Sequence, residues 1–254
     1  MNASCKDTLN FVKENDVKFI RLAFCDNTGL QKNISLQPGE LERAFESGIP
    51  FNAWELPGFH LSAGTKLLLR PDARTLSVLP WRPSSGRVIR LFCDLMNADG
   101  TPYVPFGTTV YALAHQPDEL VEQTLTTLAQ SPFNKVRLCI FPKSYQYNSN
   151  EPLYYPFEKT TDGKRDVHRP CLAFWHRFES ILRRLDSMGI QADLILFHPY
   201  DRWGFSEMSA ECDDLYWKYL IARVSAYRNV WWSLANEYDL FPKKTTEDWE
   251  RYAS

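Results

Sequence analysis

The dipeptide Asn236-Glu237 closes an apolar run, Val230-Trp231-Trp232-Ser233-Leu234-Ala235. A carboxylate at the tip of such a run is costly unless it is solvated, paired or used. In an extended chain Glu237 shares a face with Ser233 and Ala235, whose small side chains leave room around it. Loss of water beside Trp232 or a bound ring would favour the protonated form that a general acid needs. A solvated strand-end carboxylate and a structural ion pair are the competing readings, and spacing alone leaves them open.

Other groups with chemical potential sit at comparable places. His198, Tyr200, Asp201 and Trp203 follow the apolar run 190–197, and His115 follows the run 106–114. Tyr145, Tyr147, Tyr154 and Tyr155 fall in a long aromatic and proline-rich segment, 143–170. Tyr and Trp offer flat apolar surfaces with a polar handle, which suits sugar rings and ordinary packing alike. Taken singly each fits loop packing; gathered on one face they favour a carbohydrate cleft. His168 and His176 lie eight residues apart across a helix start, which does not suit shared metal ligation. The six cysteines are scattered without a CxxC pair, and several sit in apolar runs where a thiol behaves as a small hydrophobe. No Walker-type phosphate loop is present, so neither metal nor cofactor is expected.

The elements that must hold these groups change rhythm along the chain. Residues 17–26 read as a strand, returning after Asn27-Thr28-Gly29. Residues 38–48 read as a short helix with Pro38 near its start and Gly48 at its stop. Runs 65–72 and 75–81 look like a strand pair, and 86–96 like a further strand, giving a small α+β domain over residues 1–103. From residue 104 to 254 strand and helix alternate. The expected strands are 106–114, 134–142, 190–197 and 229–237. The expected helices are 117–130, 171–188 and 209–227, with a fourth beginning at 245. Four successive strand–helix units predict a parallel α/β arrangement.

The composition, 44% hydrophobic and 24% charged with a net charge of −2 over 254 residues, fits a soluble globular chain. It supplies no electrostatic attraction to nucleic acid or to an anionic membrane. The N-terminal stretch lacks the apolar core of a secretory signal, and no run approaches bilayer length, so the expectation is a cytoplasmic protein.

The stretches "VKFIRLAFCDNTG", "GIPFNAWELPGF" and "PDARTLSVLPWRPSSGRVIRLFCDLMNADGTPY" resemble, in order, the N-terminal β-grasp domain of glutamine synthetases. In that family the sheet completes the active site of a neighbouring subunit. Where its loop reads Phe-Asp-Gly-Ser-Ser, this chain has Asn52, Ala53 and Trp54. The carboxylate that favours ammonium is thereby lost. None of the family's ATP- and metal-binding motifs follows, so ligase activity is not expected and the module reads as a scaffold or oligomerisation domain.

"PFGTTVYALAHQPDEL", "SPFNKVRLCIFPKSYQYN", "QADLILFHPYDRWGF" and "NVWWSLANEYDL" resemble (β/α)8 glycoside hydrolases of the retaining β-glycosidase clan. The resemblance implies that Glu237 is the general acid/base, that Asn236 holds the substrate 2-hydroxyl, and that Arg137 helps position the nucleophile. Retaining hydrolysis needs two carboxyl groups roughly 5–5.5 Å apart. The clan's nucleophile lies at the end of the seventh strand, whereas this chain stops in the helix after the fourth. Asp201 is a poor substitute because it belongs to a loop. The expectation is therefore a two-part chain joined near "GTPYVPFG": a β-grasp domain followed by a half barrel of four strand–helix units. It would bind an oligosaccharide or glycoside through Glu237, Asn236, Arg137, His198, Tyr200, Asp201, Trp203 and His115, with weak or absent hydrolysis. An open half barrel leaves unpaired edges, so a homo-oligomer covering it is also expected.

Overall fold

In the computed structural model, which describes residues 3–80, 86–241 and 243–254, the chain divides into two units. One comprises Met1–Phe59 and Ala63–Pro105; the other comprises His60–Ser62 and Phe106–Ser254.

The first unit contains α1 (Ala3–Glu14), β1 (Val17–Cys25), β2 (Gln31–Leu36), α2 (Leu41–Ser47), β3 (Ile49–Phe51), β4 (Leu67–Pro71), β5 (Ser77–Val78) and β6 (Arg87–Met96). Helix α1 was not foreseen, because Thr8 occupies one of its two buried positions and conceals the apolar stripe. The sheet order is β2-β1-β6-β4-β3, with β5 also on β6. Strands β1 and β6 run parallel and all other pairs are antiparallel. Alternation in β1 sends Ile20, Leu22 and Phe24 into the core, where Phe24 meets Phe51 and Phe59. The β1–β2 hairpin closes as expected, through the Asp26 carboxylate, which accepts from Thr28 N at 2.9 Å and Leu30 N at 3.0 Å. Helix α2 stops at Gly48, whose φ of 75° a side chain would strain. The expected pairing of runs 65–72 and 75–81 is corrected: β4 and β5 each pair with β6, the longest strand, which offers both of them hydrogen-bonding groups. The last residue of that second run, Trp81, lies outside the described residues.

The second unit contains β7 (Gly107–Thr109), α3 (Asp118–Ala129), β8 (Lys135–Cys139), β9 (Phe157–Lys159), β10 (Arg165–Pro170), α4 (Leu172–Ser187), β11 (Gln191–Phe197), α5 (Ala210–Val224), β12 (Val230–Ala235) and α6 (Thr246–Ala253). Strands β7, β8, β11 and β12 lie side by side in chain order, all parallel. Strand β11 is buried at all seven positions, as an inner strand of a parallel sheet covered by helices must be. Its Ala192, Leu194 and Leu196 join Val136, Leu138 and Val230 in the core beneath α4, whose Phe174, Trp175, Phe178, Ile181, Leu182 and Leu185 recur at three- and four-residue spacing. Helix α6 opens on a capping box between Thr245 and Asp248.

Two expectations change. The first strand is only three residues long, because the chain turns at Val110 into a short 3-10 turn over Leu113–His115. The aperiodic segment 143–170 contains the β9–β10 hairpin, closed by the Thr160–Lys164 turn with Gly163 at φ 84°. No helix among the described residues is long and apolar enough to cross a membrane.

Candidate active site

The C-terminal ends of parallel strands collect side chains from successive loops, and that is where open parallel α/β sheets commonly place their ligands. Glu237, two residues past the end of β12, sits in the left-handed region at φ 52° and is exposed. For a non-glycine residue this is a costly conformation, and such residues cluster at functional sites. Interaction with the Glu237 carboxylate is the main cause pushing the Tyr200 phenol above its ordinary range. Asp239, in the same turn as Glu237, adds its negative charge to Tyr200. Asn236 follows β12 and is fixed by its backbone N–H, which donates to Phe197 O at 3.0 Å.

Facing Glu237 is a lysine that sequence reasoning missed. Lys143 lies just beyond β8 and is 6% exposed. Its ammonium stands 3.6 Å from the centroid of Tyr111, 4.3 Å from Tyr200 and 5.3 Å from Tyr145. Aromatic faces stabilise a cation that burial would otherwise penalise. Desolvation nevertheless pulls the Lys143 amine below its usual range, opposed by the charge of Glu237 and reinforced by that of Arg137. Arg137 on β8 is half-buried, and its Nε has no hydrogen-bond partner among the described residues. Glu237, Tyr200, Lys143, Arg137, Tyr111 and Tyr145 thus form one constellation, with a carboxylate at its edge and two cations behind it. The signal available in sequence was position: Lys143 follows an apolar strand run, as Tyr200 and Glu237 do.

The remaining expected residues divide. Asp201 organises its own loop, one carboxylate oxygen accepting from Trp203 N and the other from Ser206 N, each at 2.7 Å. Trp203 turns into a separate cavity of about 820 Å³, where its indole N–H donates to Glu151 at 3.0 Å and its ring meets Tyr155 edge-on. Arg165 stacks on Tyr155 there at 3.3 Å.

His115 and His198, expected at the substrate rim, are corrected to core positions, 6% and 2% exposed. Their Nε2 atoms lie 3.0 Å from Ile140 O and 3.1 Å from Phe141 O. A carbonyl only accepts, so each Nε2 carries the proton. Both imidazoles therefore tie neighbouring loops to the end of β8, and desolvation pulls both down to about 4. Their side chains leave no surface for a sugar.

A parallel sheet with its candidate acid, aromatic surfaces and cations gathered at the strand ends defines a glycoside-hydrolase-like unit. The chain belongs to the Apiosidase-like family, whose catalytic-domain model matches residues 93–254, well over half its length. Residues 16–98 match the glutamine synthetase β-grasp domain. Glutamine synthetase of Clostridium saccharobutylicum is 41% identical over 98 residues, covering 39% of this chain and 22% of that enzyme. The Methanocaldococcus jannaschii enzyme is 38% identical over 110 residues, covering 41% of this chain and 24% of that enzyme. A Bacteroides vulgatus protein classed provisionally as a glycoside hydrolase has a crystal structure that superposes with a TM-score of 0.57 at 40% identity. That match covers 66% of this chain and 38% of the other. The chain spans about a fifth of the length of the curated relatives it matches.

Proposed function

We propose that the second unit is the sugar-binding and proton-donating half of a retaining glycosidase barrel, with Glu237 as general acid/base. The observation that carries this reading is the place of Glu237, just past the end of β12, next to Tyr200 and within the field of Lys143. A carboxyl group that must give up and regain a proton needs a defined orientation, a role suited to the neighbouring Tyr200 phenol. Asn236 and Arg137 are placed to meet the sugar hydroxyls, and Tyr111 and Tyr145 offer it aromatic surface. The attacking carboxylate is assigned to a residue outside this constellation: both oxygens of Asp201 are held by backbone amides, and Asp239 shares the turn of Glu237. Hydrolysis by this chain alone is accordingly weak or absent. Membership of the Apiosidase-like family makes apiosides the first substrates to try.

Self-association is part of the same proposal. Strands β7 and β12 form the edges of the sheet, and Trp232, Tyr238 and Leu240 beside one edge are 40%, 59% and 56% exposed. A second copy would cover that edge. Incubation of the intact chain with chromogenic aryl glycosides, apiosides included, tests the catalytic reading. Any turnover should fall by about a hundredfold or more in Glu237→Gln, the scale of a lost acid/base. Turnover left unchanged in Glu237→Gln would remove Glu237 from the role.

A further inference from the structure

The outer face of the first unit's sheet carries a second cluster unrelated to the strand-end constellation. In the parallel β1–β6 ladder, Arg21 and Arg90 are direct partners. Neighbouring strands lie roughly 4.8 Å apart, so two cationic side chains leave adjacent positions of the ladder, a like-charge pairing that is destabilising unless something neutralises it. No ion pair to either arginine exists among the described residues. The residues outside those described include no Asp or Glu that could supply one. Among the described residues Arg21 donates to the Ser35 hydroxyl, and Arg90 lies over the Phe92 ring at 4.6 Å. The Nε of Arg90 is buried without a hydrogen-bond partner, so a donor has been taken from water and left unmet.

The space between these groups is shaped. Ala23 on β1 is small, and beside it on β2 the register sets Asn33 opposite Ala23 and Gln31 opposite Cys25. Arg21, Arg90, Gln31 and Asn33, floored by Ala23 and Leu79, line a cavity of about 270 Å³. Two arginines and two carboxamide residues lining one hollow offer more donors than a carboxylate's two oxygens can use. A tetrahedral phosphate offers more acceptors and greater charge, and guanidinium groups bind it in a bidentate manner.

We propose that Arg21 and Arg90, with Gln31 and Asn33, form a phosphate-binding site on the β-grasp sheet. The site draws nothing from the second unit and stands independently of the glycosidase reading. Calorimetric titration of the intact chain with inorganic phosphate, at constant ionic strength and with chloride as reference, should give a saturable one-site isotherm. Arg21→Met or Arg90→Met should each weaken it by at least about tenfold, and the double variant should abolish it. Thermal unfolding gives a second reading. Phosphate should raise the midpoint of the wild type but not that of Arg90→Met, which in chloride should match or exceed the wild type because the like-charge contact is gone. Sugar phosphates binding as tightly as the free ion would identify the phosphoryl group of a metabolite as the ligand; their rejection would identify free phosphate. Absence of saturation below roughly 50 mM phosphate, or an isotherm unaltered in the double variant, would overturn the proposal.

Discussion

Acidification from about pH 7 to about pH 5 should weaken the second unit by an amount set by two side chains. His115 and His198 are buried and neutral, each donating one N–H to a carbonyl, and desolvation pulls both from an ordinary value near 6.5 to about 4. The folded state therefore resists protonation while the unfolded chain accepts it. This stability is fully present above about pH 6.5 and is lost as pH falls toward about 4. One histidine lowered that far loses roughly 3 kcal/mol over the whole window, and about 2 kcal/mol of that by pH 5. Together the pair should cost about 4 kcal/mol by pH 5, a large share of an ordinary domain's stability. Urea unfolding of the intact chain, followed by tryptophan fluorescence at several pH values, reads this directly, because six of the eight tryptophans lie between residues 175 and 249. His198→Gln can keep a donor for Phe141 O but does not titrate, so it should roughly halve the pH dependence whatever its effect at neutral pH. Stability flat between pH 7 and 5, or an equal slope in His198→Gln, would refute the reasoning.

The pair Lys244–Asp213, with side chains 4% and 1% exposed, fastens α6 to α5 together with the Tyr252 hydroxyl, which also donates to Asp213. Lys244→Met leaves a buried carboxylate unneutralised and should cost about 3–5 kcal/mol in chemical denaturation, with part recovered in Asp213→Asn/Lys244→Met; a loss below about 1 kcal/mol would mean that water reaches the pair. Sedimentation of the intact chain should find a dimer or larger assembly that Trp232→Lys dissociates, and a monomer at all concentrations would dispose of the covered edge. Trp203→Ala should weaken glycan binding if the Trp203–Tyr155 cavity extends the sugar site, and unchanged affinity would confine that site to the Glu237 constellation.

Much of the framework was legible because buried parallel strands and amphipathic helices leave strong periods. Strand β11 reads as one apolar run, and α4 shows its stripe in Phe174, Phe178, Leu182 and Leu185. Helix α1 escaped because Thr8 is buried through a hydrogen bond to Ala73 O, a satisfaction that residue type does not advertise. The β9–β10 hairpin escaped because its strands are short and bring only Phe157 and Val167 as apolar side chains to the core. At the site, Glu237, Tyr200 and Asn236 were visible as polar residues ending apolar strands. His115 and His198 looked alike by that rule, yet each imidazole bonds a carbonyl on another loop, a contact that depends on tertiary geometry. Lys143 was hidden for the converse reason: a lysine is ordinarily solvated, and only the convergence of Tyr111, Tyr145 and Tyr200 makes its burial possible.

Glycan-array binding by the intact chain, repeated with Tyr200→Ala and Lys143→Met, tests the central claim most directly. The account predicts selective retention of one class of glycoside, lost in both variants while the fold, followed by circular dichroism, persists. Retention of no glycan at all, or retention indifferent to both substitutions, would contradict it.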